Sequence, residues 1–186
     1  MADFTGLIPA AGLGRRAGGP KAALVLPDDP RPLLKRCIDG LIRAGARQVI
    51  VVVRPEHLAL TEHPRVTAVA PDPPTQSMIE SVRLGLLALE RQAGGDDGLL
   101  LCPVDAARAA EASHRWLPAA LSAHGSCAVI PTFQGAPGHP AWLPRNLWGR
   151  LHQDTCSSLG AKAAFAGAAH WAVTDPAVLD NVNVRT

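Results

Sequence analysis

Apolar residues along this chain alternate between short continuous runs and longer stretches spaced three and four apart, which predicts strands and helices in turn. Leu7-Ile8-Pro9-Ala10 reads as a first strand and enters a glycine-rich loop from Gly12 to Pro20. Leu33, Leu34, Cys37, Ile38, Leu41 and Ile42 recur at helical spacing between Pro32 and Ala44. Pro32 suits the first turn of that helix and Gly45 its stop. The β-branched run Val49 to Val53 predicts a buried parallel strand, and Val66 to Val69 a shorter one.

Ser77-Met78-Ile79-Glu80 has the form of a capping box, and Met78, Ile79, Val82, Leu86 and Leu89 form a helical stripe behind it. Further strands are predicted at Leu99 to Cys102 and Ala128 to Pro131, with a helix from Ala109 to Ala123 between them. Two short helices, near Arg145 to His152 and Ser157 to Ala166, precede strands near His170 to Val173 and Val178 to Val182. Strands alternating with helices imply one α/β domain over residues 1–186, its mostly parallel sheet flanked by helices. Ligands of such sheets gather at the carboxyl ends of the strands, where the glycine loop and Asp105 fall.

Composition narrows the picture. At 186 residues, 47% of them apolar and 18% charged, the chain can bury a substantial core. It has no apolar run long enough to cross a bilayer and no N-terminal signal pattern, so a cytoplasmic protein is expected, with no membrane partner. Cys37, Cys102, Cys127 and Cys156 lack metal-binding spacing and read as small buried hydrophobes. A net charge of +2, few aromatics and no basic cluster argue against nucleic acid as a partner. Of the 18 basic residues 15 are arginine; the three lysines are Lys21, Lys35 and Lys162. A lysine inside a glycine loop therefore stands out.

Gly12-Leu13-Gly14-Arg15-Arg16-Ala17 matches the G-x-G-x-x-A dinucleotide pattern. That pattern needs a helix starting inside it, and Gly18-Gly19-Pro20 opposes one. An NADP-dependent reading, with Arg54 on the 2′-phosphate, is the weaker one for that reason. A loop that remains a loop can instead turn backbone N–H groups toward a phosphate chain, with Arg15, Arg16 and Lys21 supplying positive charge.

Pro9 to Lys21, read as PAAGLGRRAGGPK, resembles the L-A-A-G-x-S-x-R-M-G-x-x-K signature of the MobA-like nucleotidyltransferases, with Pro9 and Ala17 departing from it. Arg31-Pro32-Leu33-Leu34, Ser81-Val82-Arg83-Leu84-Gly85-Leu86, Pro103-Val104-Asp105, Gly138-His139-Pro140 and Asn181-Val182-Asn183 resemble later family segments in the same order. The resemblance implies a Rossmann-like nucleotidyltransferase domain. It places Ala10, Ala11, Gly12 and Gly14 at the nucleotide and Arg16 and Lys21 at the triphosphate. Asp105 and Asn183 are then the metal ligands for Mg²⁺, with Gly138 and His139 near the acceptor.

On that reading the partners are a nucleoside triphosphate and a phosphorylated small molecule, and a phosphate acceptor is already anionic and needs no general base. Ala10-Ala11-Gly12 leans toward CTP and a molybdopterin cytidylyltransferase-like enzyme. Transfer to a sugar phosphate or another phosphorylated metabolite stays open, as does a non-catalytic nucleotide-binding relative. Several residues carry two readings. Asp105 could cap the following helix, Ser77 and Glu80 cap theirs, and Ser81 could contact ligand. His139 could hold its loop together, and Arg108 could pair with Asp105 or with a substrate phosphate. Oligomeric state is not legible.

Overall fold

The computed structural model describes residues 3–12, 19–75, 77–92 and 95–182. Its strands are β1 (Phe4–Ala10), β2 (Val25–Leu26), β3 (Asp29–Pro32), β4 (Gln48–Val53), β5 (Val66–Val69), β6 (Gly98–Leu101), β7 (Val129–Phe133), β8 (Ala136–Pro137), β9 (Ala141–Pro144) and β10 (Ala169–Ala172). The α-helices are α1 (Leu33–Arg43), α2 (Met78–Glu90), α3 (Ala107–Ala112), α4 (Leu117–His124) and α5 (Asp154–Leu159). The main sheet runs β10-β7-β9-β6-β1-β4-β5, with β8 beside β7, and β2 and β3 form a separate ribbon. Strands β6, β1, β4 and β5 pair in parallel, whereas β9 is antiparallel to both β6 and β7.

The central strands are apolar on both faces because both faces are covered. Phe4, Ile8, Val49, Val51 and Leu100 pack on α1, α3 and α4 through Leu34, Ile38, Leu41, Ala110 and Leu117. Their neighbours Leu7, Ile50, Val52, Leu99 and Leu101 face α2 and the turns beyond it, meeting Val82, Leu86, Trp148 and Phe165. This is the mostly parallel, helix-flanked α/β architecture that the periodicity predicts. Helix α1 falls within the predicted bounds, and Ser77 does cap α2, accepting from the Glu80 N–H at 3.3 Å.

Four expectations need correction. The helix predicted from Ala109 to Ala123 is two helices, α3 and α4, because Pro118 lacks an N–H and its ring opposes the carbonyl one turn back. The stretch from Ser157 to Ala166 is broken at Gly160 between α5 and a 3₁₀ turn, Ala161–Phe165. Val178 to Val182 is no strand: Asp175 caps a 3₁₀ turn over Pro176–Leu179, with Pro176 at its start. Cys127 is exposed, whereas Cys37, Cys102 and Cys156 are buried.

One buried strand, β9, was not predicted. Its sequence Ala-Trp-Leu-Pro is flanked by proline and reads locally as loop, yet all four residues are buried. A two-residue turn brings the chain back toward it. Gln134 and Gly135 both take positive φ, which matches the twist of the flanking strands.

Candidate active site

Strand β1 ends at Ala10, and its fully buried neighbour Ala11 leads into Gly12 at the carboxyl edge of the sheet. Across from it, β6 ends and the chain turns through Pro103-Val104-Asp105. Lys21 stands on a 3₁₀ turn, Lys21–Ala23, and donates from Nζ to Asp105 Oδ2 at 2.8 Å. The two residues are 84 positions apart in sequence. Both side chains are largely shielded, at 15% and 26% exposure, yet both line a cavity of 200 Å³. Pro9, Ala10 and Gly12 form one wall of it, and Ser77, Met78 and Ser81 of α2 another.

The amino end of α2 thus opens on the cavity, where its leading N–H groups and dipole favour an anion. Ser81 is buried and shares a hydrogen bond of 2.7 Å with Thr75, so its hydroxyl braces the chain just before the helix while its residue lines the cavity. Asp105 does not cap α3, whose N-cap is Ala106 without a side-chain bond. Its backbone carbonyl accepts from the Val182 N–H at 2.8 Å, which ties the C-terminal segment to the β6 turn. Arg108 points elsewhere: it joins Asp28 at 2.9 Å and Asp180 at 3.4 Å, not Asp105. Arg54 is paired with Glu56. After β1 the next α-helix among the described residues is α1, at Leu33; residues 13–18, where a dinucleotide helix would begin, lie outside them.

Gly138 and His139 lie in the short link between β8 and β9, which both run antiparallel to β7. A Cβ at Gly138 would come within 2.3 Å of the Val178 carbonyl, so only glycine permits this approach. The His139 backbone N–H donates to the same carbonyl at 2.8 Å, a bond that holds the loop without using the imidazole. The imidazole lines a second cavity, of 290 Å³, that shares Met78 and Pro103 with the first. Burial pushes its pKa below the usual histidine value, against the opposing charge of Asp105, so the ring is neutral at physiological pH.

Gly14, Arg16 and Asn183 lie outside the described residues. Of the remaining sequence-predicted site residues, Ala10, Gly12, Lys21, Ser81 and Asp105 meet around the first cavity and Gly138 and His139 around the second. Sequence reasoning missed Met78 and Pro103 as the shared wall, and it missed Lys162 in the second cavity. The scarcity of lysine was the signal that could have found the last.

Among the described residues no three His, Cys, Asp or Glu side chains converge as a metal cage. A lone carboxylate, Asp105, on the cavity does fit Mg²⁺, which takes one or two protein ligands and completes its shell with phosphate and water. A wider depression of 680 Å³ lies at the opposite edge of the sheet, by Asp96 and Arg145. The buried Asp96 carboxylate there is taken by Thr5 and Arg47.

Comparison with solved structures agrees with this architecture. Rv0371c from Mycobacterium tuberculosis H37Rv superposes with a TM-score of 0.72 at 21% identity, over 98% of this chain and 93% of that one. Its complex with manganese gives 0.67, also at 21% identity, over 100% and 94%. The 2-C-methyl-D-erythritol 4-phosphate cytidylyltransferase (IspD) of Francisella tularensis gives 0.65 at 16% identity, over 100% and 95%. No curated protein matches the sequence. The sequence model of the MobA-like NTP transferase domain matches residues 6–171, and the chain therefore belongs to that family.

Proposed function

We propose that residues 1–186 act as one magnesium-dependent transferase that moves a nucleoside monophosphate, CMP by preference, from its triphosphate to a phosphorylated acceptor of the molybdopterin type. The observation that carries this reading is the Lys21–Asp105 pair at a cavity closed by the end of β1 and the amino end of α2. A triphosphate entering there competes for Lys21 and frees the Asp105 carboxylate. Asp105 and Asn183 would hold Mg²⁺, and a bound metal disperses phosphate charge and orients the reacting groups. The mycobacterial neighbour's complex with manganese shows that a protein of this fold can take up a divalent ion.

Ala10, Ala11, Gly12 and Gly14 seat the nucleotide through their backbone, and Ser81 supports α2 at its phosphates. An oxygen of the acceptor phosphate attacks the α-phosphorus, the α–β phosphoanhydride breaks, and pyrophosphate leaves against Arg16 and Lys21. The protein's part is positioning and charge, the usual needs of phosphoryl chemistry. Gly138 and His139 face the acceptor side. The preference for CTP rests on Ala10-Ala11-Gly12 and is in keeping with the cytidylyltransferase among the structural neighbours.

Thermal shift with CTP, GTP, ATP and UTP, each with and without Mg²⁺, tests the reading. A triphosphate at 100 times its Kd stabilises by about 2.7 kcal/mol, or roughly 5–10 °C for a chain of this size. The expected outcome is a magnesium-dependent shift largest with CTP, followed by pyrophosphate release once an acceptor is supplied. No shift with any triphosphate would overturn it.

A further inference from the structure

The turn that presents Asp105 rests on two thiols. Cys102 follows β6 directly and Cys37 stands midway along α1; both are fully buried. Cys37 Sγ lies 3.5 Å from the Val104 carbonyl oxygen and 3.9 Å from that of Pro103. Cys102 Sγ lies 3.5 Å from the Pro103 oxygen and 3.9 Å from that of Ala106. A thiol has one hydrogen to give, so Cys37 donates to Val104 and Cys102 to Pro103, the nearer oxygen in each case. The Cys102 thiol beside it and burial hold the Cys37 pKa well above the usual thiol value, so Cys37 keeps the hydrogen it donates.

Helix α1 reaches this turn because Gly40, one turn on from Cys37, lets α3 come close. A Cβ at Gly40 would stand 2.6 Å from the Ala110 carbonyl carbon. On its carboxyl side the turn is tied by backbone alone. The Asp105 carbonyl accepts from Val182 at 2.8 Å and the Ala106 carbonyl from Ala110 at 2.9 Å. Each carbonyl from Pro103 to Ala106 therefore has a donor, and the thiols serve the two that precede Asp105. Between Pro103 and Ala106, Asp105 carries the one charged side chain, and it turns to the cavity and Lys21. Burial as small hydrophobes accounts for the place of these cysteines but not for the direction of their sulfur atoms. A methyl group would occupy much of the same space and give the turn no donor.

We propose that Cys37 and Cys102 are positioning residues of the transferase, which aim the Asp105 carboxylate at the metal by holding the peptide groups on its amino side. The inference rests on the transferase reading and adds two residues that line neither cavity. Mg²⁺ demands near-ideal octahedral geometry, so a turn free to rock weakens the metal's hold without disturbing the nucleotide's other contacts.

Calorimetric titration of the full chain with CTP, once in Mg²⁺ and once in EDTA, tests it. The ratio of the two affinities is the metal's contribution and needs no turnover. Cys37→Ala should shrink that ratio about fivefold and leave the metal-free affinity unchanged, the loss expected of one weak hydrogen bond. Cys102→Ala should act in the same direction. Cys37→Ser keeps a donor and should restore most of the ratio. Cys156→Ala removes an equally buried thiol from the other face of the sheet and should leave the ratio where it is, even where Tm falls as far. A ratio unmoved by Cys37→Ala, not restored by Cys37→Ser, or moved as much by Cys156→Ala overturns the proposal and leaves the transferase reading standing. If the unaltered chain binds no CTP, or binds it equally well without Mg²⁺, the transferase reading fails and the positioning role falls with it.

Discussion

Two groups of opposite charges sit near the carboxyl edge of the sheet and are built differently. In the first, Lys21 meets Asp105 at the wall of an open cavity. In the second, charges are shared many ways. Arg36 grips Glu111 at 2.7 Å, and Arg31 reaches Asp29 at 2.6 Å, Asp39 at 2.7 Å and Glu111 at 3.0 Å. Arg108 adds Asp28 and Asp180, so the β2–β3 ribbon is fastened to α1, α3 and the segment after Pro176. A shared network gives no ligand an easy way in, because displacing one partner leaves the others in place. The cavity pair can exchange both its partners, Lys21 for a phosphate and Asp105 for a cation. Charge density alone would have pointed to the wrong cluster.

The sharpest way to break this contrast is Asp105→Ala. Activity measured as pyrophosphate release should fall by at least about 10³-fold, roughly 4 kcal/mol in transition-state stabilisation, with little change in Tm. Full activity in that variant would erase the distinction between the clusters. The opposite profile is expected of Arg36→Ala. Arg36 is only 4% exposed, and its loss breaks a buried pair and leaves Glu111 to Arg31 alone, so urea unfolding should show a loss of about 3 kcal/mol. Triphosphate affinity of the folded fraction should be kept; a drop in affinity without a drop in stability would place the network in the site.

Lys21→Ala comes next. Loss of one charge-assisted contact to phosphate should weaken triphosphate binding about thirtyfold, roughly 2 kcal/mol, by calorimetry. The smallest effect is on pH dependence. Hydrogen bonds from Arg31 hold the Asp29 carboxyl at about 2, below its ordinary 3.8. A depressed folded pKa means that the stabilisation is present above about pH 4 and is lost as pH falls toward 2. Asp28 is lowered too, through Arg108. Urea midpoints between pH 5 and pH 2 should therefore fall less steeply in Arg31→Ala than in the unaltered chain, and parallel slopes would count against the network's role.

Much of this molecule follows from local rules. The β-branched run at Val49 to Val53, the stripe of α1 and the Ser77 cap each depend on residues within a few positions of one another, and each element formed where its pattern predicts. The family motifs were legible for the same reason, being short and in order.

Convergence was not legible. Strand β9 is a strand only because β6 and β7 flank it, and Pro176–Leu179 is a turn because Asp175 caps it before β pairing can begin. Arg108 stands three residues from Asp105 yet turns to Asp28 and Asp180, a choice set by where the ribbon packs. Lys162 reached the second cavity only when the turn after Gly160 came to rest beside β7 and the link that carries His139. Periodicity and capping act over one or two turns of chain and are written in sequence. Which distant side chains share a cavity is decided by the packing of whole elements, and there a lysine and an aspartate 84 residues apart became neighbours.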